Sequence, residues 1–127
     1  MQFQSRHFGT VAVATPAGRV DQSAAAAFEQ ALLPPLEDQH AAGLIVRFAN
    51  VEYISSVGLR VLMIAAKQMR ARKARIAAAA LQPIVAEIFA ISRFDAVFEV
   101  FSSLRDALAA MSPEALVAYD ASLARNT

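Results

Sequence analysis

The chain has 127 residues, a formal net charge of +1 and no cysteine. That length suits one domain, which buries roughly two thirds of the surface that its unfolded chain exposes. The absence of cysteine excludes disulfides, thiolate catalysis and the usual structural zinc sites. A net charge this close to zero does not produce the field of a typical nucleic-acid-binding protein, so we expect no nucleic-acid partner.

Hydropathy and the first residues indicate a cytoplasmic protein. Although 57% of the residues are hydrophobic, no apolar run reaches the roughly 20 residues that cross a bilayer, so we expect no membrane association. The stretch Met1 to His7 lacks the apolar middle of a signal peptide. His7 and His40 are the only two imidazoles. Because their spacing is not that of metal ligands, we expect no metal and no cofactor.

The first third of the chain predicts two strands and a helix. Met1 to Phe8 forms the first predicted strand, and Thr10 to Thr15 alternates valine with smaller residues, which indicates the second. Asp21 or Ser23 can then cap a helix with one apolar face. Pro34-Pro35 is expected to break or kink this helix, because proline lacks a backbone N–H and its ring clashes with the preceding turn.

The middle of the chain predicts a buried strand and a central helix. Leu44 to Phe48 is mostly apolar, which indicates a strand inside the domain. Apolar residues at helical spacing then predict a helix from about Ser56 to Arg72. Because function gathers at the loops that leave the carboxyl ends of strands, we expect the connecting segment Asn50 to Gly58 to carry it.

The last part of the chain predicts two further strands and three helices. Ala74 to Leu81 and Ala96 to Phe101 are the predicted strands, and a helix that begins at Pro83 separates them. Ser103 is expected to cap the next helix, and Ser112-Pro113-Glu114 begins a final short one. Strands that alternate with helices indicate an α/β domain with parallel strand pairings.

Ser56 is the residue whose position favours chemistry, since it is predicted at or near the N-cap of the central helix. Unpaired backbone N–H groups and the positive end of the helix dipole favour an anionic substituent there. The hydroxyl is therefore a candidate for covalent modification. A plain capping role is the alternative interpretation, because serine is among the preferred N-cap residues.

The residues around Ser56 do not support an enzyme. The order strand, serine, glycine, helix is that of a nucleophile elbow, but Ile54 stands where the first glycine of G-x-S-x-G belongs. His7 and His40 both precede the serine, contrary to the chain order of that fold. The four glycines are scattered, so no phosphate-binding loop can be written. The basic residues between Lys67 and Arg75 are interpreted as a solvated helix end, and the chain as a binding module.

Three segments carry a resemblance to a known family. They are Gly18-Arg19-Val20-Asp21, the run Val51-Glu52-Tyr53-Ile54-Ser55-Ser56-Val57-Gly58-Leu59-Arg60-Val61-Leu62, and Ile91-Ser92-Arg93-Phe94-Asp95 through Val97-Phe98. The chain resembles STAS domains, the family of bacterial anti-sigma factor antagonists, from Thr10 to Met111. We therefore expect a STAS domain in residues 1–111, followed by a C-terminal extension, 112–127, that forms a helix packed on the domain or a loosely held tail.

The resemblance implies a mixed β-sheet of four to five strands with helices packed on one face. It also implies partner switching. The unphosphorylated antagonist binds an anti-sigma factor that is a serine kinase, phosphorylation breaks the complex, and a phosphatase restores it. Ser56 matches the phosphorylated serine, and Asp21 matches an acidic residue at the kinase-facing edge. The remaining residues expected near the partner surface are Ser55, Val57, Gly58 and Arg60.

Three residues depart from the commonest family pattern. Ser55 replaces an aspartate, Val57 replaces the usual residue after the phosphorylated serine, and Arg47 stands where the family often has an aspartate. Arg47 is expected to bring a positive charge toward Ser56. The departures at Ser55 and Val57 leave an alternative function open, a constitutive STAS scaffold that docks to a transport or signalling ATPase and is never phosphorylated.

Overall fold

A mixed β-sheet with helices on both faces makes up the structure, a computed structural model that describes residues 1–125. The six strands are β1 (Gln2–Phe8), β2 (Val11–Val20), β3 (Gly43–Arg47), β4 (Asn50–Ile54), β5 (Arg75–Ala79) and β6 (Glu99–Phe101). The five α-helices within this range are α1 (Ala25–Glu37), α2 (Ser56–Ala71), α3 (Pro83–Ile91), α4 (Leu104–Met111) and α5 (Pro113–Arg125).

The strand order confirms the predicted mixed α/β class. The main path of the sheet is β1-β2-β3-β5-β6, and β4 pairs with β2 outside that path. β1 runs antiparallel to β2, whereas all the other pairings are parallel. The sheet of the described chain thus has six strands rather than four to five, because a segment predicted as a loop forms β4.

β2 and β4 extend the sheet beyond the predicted strands. β2 continues through Pro16 and Gly18 to Val20, so it is ten residues long. Its first half pairs with β3 and its second half with β4, where Val20 is the register partner of Ile54. The prediction of a loop over Asn50 to Gly58 is therefore wrong up to Ile54. Local pattern missed this strand because its partner residues in β2 follow Pro16 and include Gly18.

Helices pack on both faces of the sheet, and the expectation of one covered face is wrong. Buried residues of α1, α2 and α3 share a core with Ala12 and Ala14 of β2. The neighbouring residues Val11 and Val13 point to the opposite face and pack with buried residues of α4 and α5. Since side chains alternate along a strand, one strand contributes to both cores.

α1 is not broken by its two prolines. It continues through Pro34 and Pro35 to Glu37, so the prediction of a break there is wrong. Each proline removes one N–H donor from the helix ladder. Pro35 and Leu36 are both buried and Leu36 packs in the core shared by α1, α2 and α3, and this burial accounts for the continuation of the last turn.

The C-terminal part differs from prediction in the lengths of its elements. β6 is only three residues long, because a 3-10 turn at Phe94–Ala96 occupies the start of the predicted strand. α5 has thirteen residues and packs on the domain, with the rings of Tyr119 and Phe8 edge to face at 5.3 Å. Positions 126 and 127 of the predicted extension lie outside the described residues. Across residues 1–125, each helix is too short or too polar to traverse a lipid bilayer.

Candidate functional site

The junction between β4 and α2 is capped by Ser55 and not by Ser56. Ser55 keeps an extended backbone, its N–H donates to the carbonyl oxygen of Val20 at 2.8 Å, and its Oγ accepts from the Gly58 N–H at 3.2 Å. Ser55 is thus still paired with β2 while it closes the first turn of α2. The plain capping role that was an alternative for Ser56 belongs to its neighbour.

Ser56 is the first helical residue and is exposed to solvent. Within residues 1–125, its hydroxyl has no hydrogen-bond partner. At this position the backbone N–H groups of the first helical turn are close by, and most of them have no intrahelical acceptor. The geometry therefore leaves a free hydroxyl at the positive end of a sixteen-residue helix.

Gly58 is required by a close approach of two elements. A Cβ atom built on Gly58 would lie 2.8 Å from a side-chain carbon of Val20 and 2.8 Å from one of Ile54, with the Val20 carbonyl oxygen at 3.2 Å. Gly58 does not have a positive φ. The glycine is therefore explained by the close approach of α2 to the ends of β2 and β4, and not by a turn with positive φ.

Asp21 lies beside the start of α2 because of the strand register. Val20 pairs with Ile54, so Asp21 and Ser55 follow at adjacent strand ends. One carboxylate oxygen of Asp21 accepts from the Ser23 hydroxyl at 2.7 Å and from the Ala24 N–H at 3.0 Å. Asp21 is therefore the residue that caps the turn before α1, and Ser23 is its donor.

The pKa of Asp21 leads to a prediction for the pH dependence of stability. Hydrogen bonds from the Ser23 hydroxyl and the Ala24 N–H hold the pKa of the Asp21 carboxyl below its ordinary value of 3.8. A lowered pKa contributes stability that is complete above the ordinary value and is lost as the pH falls through the lower folded value. The urea midpoint of wild type should exceed that of Asp21→Asn above about pH 4, and the difference should shrink below it. A difference that stays constant with pH would contradict this assignment.

The first two turns of α2 place two further predicted residues at the surface. Val57 is 38% exposed, a high value for a valine, and Arg60 is also exposed. Ser56 and Arg60 are four residues apart and thus lie on the same side of the helix. Leu59 is buried. Ser55, Ser56, Val57 and Arg60 form one surface with Asp21 alongside, which we call the α2 entry surface.

The Ser55 cap predicts a measurable stability change. Ser55→Ala removes the acceptor of the Gly58 N–H and is expected to lower the free energy of unfolding by about 1 kcal/mol. Ser55→Asp retains an acceptor of nearly equal capping strength, so it should stay within a few tenths of wild type. Urea unfolding followed by circular dichroism measures both. Equal losses in the two variants would show that the cap is not the cause.

Sequence reasoning missed one cation near this surface and misplaced another. Arg19 lies over the ring of Tyr53 at 4.6 Å from its centroid, and the two residues are register partners in β2 and β4. Only knowledge of the β2–β4 pairing could have predicted this contact. Arg47 does not approach Ser56, because it lines a groove on the α4/α5 face together with Val13 and Tyr119.

The basic residues at the end of α2 mostly hold the structure together. Arg70 and Arg72 donate to the carbonyl oxygens of Val97 and Ala41 at 2.7 and 3.0 Å. Arg75 forms a bidentate ion pair with Glu99, with a shortest distance of 2.6 Å. Three of the five residues interpreted as a solvated helix end thus join elements. Within residues 1–125 no cluster of three or more histidine, aspartate or glutamate side chains could hold a metal.

Comparison with known proteins agrees with the resemblance found in the sequence. The family model of the STAS domain matches residues 2–107. BtrV of Bordetella bronchiseptica, named as a candidate anti-sigma factor antagonist, is 40% identical over 73 residues. That stretch covers 58% of this chain and 62% of BtrV, which is less than two thirds of the relative.

Three solved structures show the same fold at lower identity. An anti-sigma factor antagonist from Mycobacterium paratuberculosis has a TM-score of 0.80 at 24% identity, over 87% of this chain and 92% of that one. The anti-sigma factor antagonist SpoIIAA has a TM-score of 0.71 at 16% identity in its unphosphorylated form, over 84% and 93% of the two chains. Its phosphorylated form, from Bacillus, has a TM-score of 0.67 at 14% identity, over 87% and 100%. The chain belongs to the STAS domain family and has the fold of the anti-sigma factor antagonists.

Proposed function

We propose that the protein is an anti-sigma factor antagonist that binds a cognate anti-sigma factor with serine kinase activity and is regulated by phosphorylation of Ser56. The observation that carries this proposal is the exposed Ser56 hydroxyl, which is free because Ser55 caps the helix. A kinase needs access to the acceptor oxygen, and a cap engaged with backbone N–H groups would have to be released first. Ser56 meets this requirement without any rearrangement of α2.

The position of Ser56 also suits a reversible modification. A phosphate adds about −1.5 to −2 charges at neutral pH. The first-turn N–H groups and the dipole of α2 stabilise such a group, and Arg60 lies on the same side of the helix. The phosphorylated protein therefore keeps its fold, and a phosphatase can return it to the original state.

Phosphorylation of Ser56 breaks the complex because the phosphate does not fit the partner surface, and not because the protein unfolds. The α2 entry surface presents a neutral Ser56 beside the exposed apolar side chain of Val57. A partner surface fitted to these two groups is apolar or acidic, and a phosphate on Ser56 would be desolvated or repelled there. Asp21, at the neighbouring strand end, lies at the rim of the same contact. The protein acts in the cytoplasm as a binding module without enzymatic turnover.

The test is a phosphorylation assay with ATP and the cognate anti-sigma factor kinase. Intact mass should show one phosphate on wild type and none on Ser56→Ala. Ser55→Ala is the matched control, since it removes the neighbouring hydroxyl and should still accept a phosphate on Ser56. A stable complex without any phosphate on wild type would replace this proposal with the constitutive scaffold, which docks to an ATPase and is not modified.

A further inference from the structure

A groove of about 210 Å³ lies on the α4/α5 face of the sheet. Side chains from β1, β2 and β3 form its floor, and Leu104 of α4 with Tyr119 and Leu123 of α5 forms its walls. Most of the wall comes from α5, which lies beyond the residues that the STAS family model matches. The groove is therefore built partly from an element that the family match does not include.

The strand register brings polar groups together on the groove floor. Gln4 is the partner of Thr15 across β1 and β2, and Arg6 is the partner of Val13. Arg47 follows the residue of β3 that pairs with Ala14, so it lies at the level of Thr15. Since side chains alternate along each strand, these residues all point to the α4/α5 face. Two guanidinium groups, one amide and one hydroxyl thus line one small cavity.

In the described part of the chain, neither guanidinium in the groove is neutralised by an acidic group. Within residues 1–125, Arg6 and Arg47 have no ion pair and no hydrogen bond, and no residue lining the groove carries a carboxylate. Arg6 lies over the ring of Phe8 at 4.8 Å, and that ring contacts Tyr119 edge to face. Arg47 is partly buried at the end of a strand whose other residues are buried.

Arg47 is unpaired within the described chain and partly withdrawn from water, which favours an anionic ligand beside it, whereas Arg6 is exposed to solvent. Arginine is rarely buried without a partner, because the lost hydration of the charge must be replaced by other interactions. Its planar guanidinium matches a carboxylate or phosphate group with two parallel hydrogen bonds. By contrast, Arg70, Arg72 and Arg75 all have acceptors within the chain.

We infer that this groove binds a small organic anion, with its carboxylate or phosphate group on Arg6 and Arg47 and its apolar part against Phe8, Leu104 and Tyr119. The Gln4 amide and the Thr15 hydroxyl supply further donors. The cavity has the volume of about seven water molecules in the liquid, which suits a compact ligand such as a substituted ring or a short alkyl chain. This inference does not depend on phosphorylation of Ser56.

Nuclear magnetic resonance titration of the full chain tests the inference. The probes are phenyl phosphate and benzoate, which share a ring and differ in the anionic group, and benzylamine, which has the same ring and a positive charge. At least one anion should shift the backbone amide signals of β1 and α5 with a dissociation constant below about 1 mM, whereas benzylamine should not. A stronger response to phenyl phosphate identifies a phosphate site, and a stronger response to benzoate a carboxylate site.

Three arginine variants provide the controls. Arg47→Met keeps the aliphatic stem and removes the charge, and it should weaken the better anion about tenfold, as should Arg6→Gln. Arg60→Gln removes one charge from the α2 entry surface and should leave the affinity unchanged. The urea midpoint of each variant establishes that the fold is retained. Shifts that are absent with both anions, or that Arg60→Gln reduces as much as Arg47→Met, would overturn the inference.

Discussion

Ser56→Asp is expected to weaken the complex with the cognate anti-sigma factor by at least about tenfold, because a fixed carboxylate at this exposed position repels or is desolvated by the partner surface. The same substitution should raise the free energy of unfolding by about 0.3–1 kcal/mol, since it puts a negative charge at the N-terminus of α2. Titration calorimetry measures the first quantity and urea unfolding the second. Opposite signs for binding and stability would show that a negative charge at this position acts on the partner surface and leaves the fold intact.

Ser55→Asp is the matched control for this experiment. It introduces the same charge one residue earlier, at a partly buried position where the side chain turns toward the Gly58 N–H. An aspartate there serves as the cap, so the complex should keep most of its affinity. If Ser55→Asp weakens the complex as much as Ser56→Asp, the effect is one of general charge and the special role of Ser56 is refuted.

Gly58→Ala is expected to lower the free energy of unfolding by about 1–3 kcal/mol, through overpacking between α2 and two strand ends. The added Cβ atom would meet side-chain carbons of Val20 and Ile54 at 2.8 Å, which is closer than Cβ contacts are found. Helix propensity alone predicts the opposite sign, because alanine is favoured over glycine inside a helix by about 1 kcal/mol. Urea unfolding therefore distinguishes packing from propensity by the direction of the change.

Ser56→Ala is the control for the packing effect. It changes an exposed residue in the same turn of α2, so its effect on stability should be within about 0.5 kcal/mol. Binding supplies a second readout, because a shift of α2 away from β2 and β4 would also move the α2 entry surface. If Gly58→Ala is as stable as wild type, α2 can move away from the strand ends without cost. The close approach would then not explain the glycine.

Most helices were predictable from the sequence, because their signals are local. The apolar period of α2, the proline at the start of α3 and the Ser103 cap of α4 all depend on residues within a few positions of one another. The same holds for the candidate site. Ser56 at the start of a helix, with a glycine two residues later, was visible in the chain itself, and family resemblance indicated its role.

The errors arose where an element depends on a distant partner. β4 forms because it pairs with the second half of β2, and no local sequence pattern indicates that this half of β2 is a strand. The prolines of α1 would end an isolated helix, but burial of Pro35 and Leu36 keeps the last turn in place. Helices cover both faces because β2 presents apolar side chains alternately to each, which the sequence showed without indicating what would cover them.

The sequence by itself determined the α/β class, the family and the serine on which the proposed regulation depends, because each rests on residues close together in the chain. Only the tertiary structure decided that Ser55 is the cap and Ser56 the free hydroxyl, since the pairing of Val20 with the end of β4 keeps Ser55 extended. It also decided that Arg47 faces away from Ser56. Side chains alternate along β3, and only the packed sheet shows that the side to which Arg47 points is the α4/α5 face.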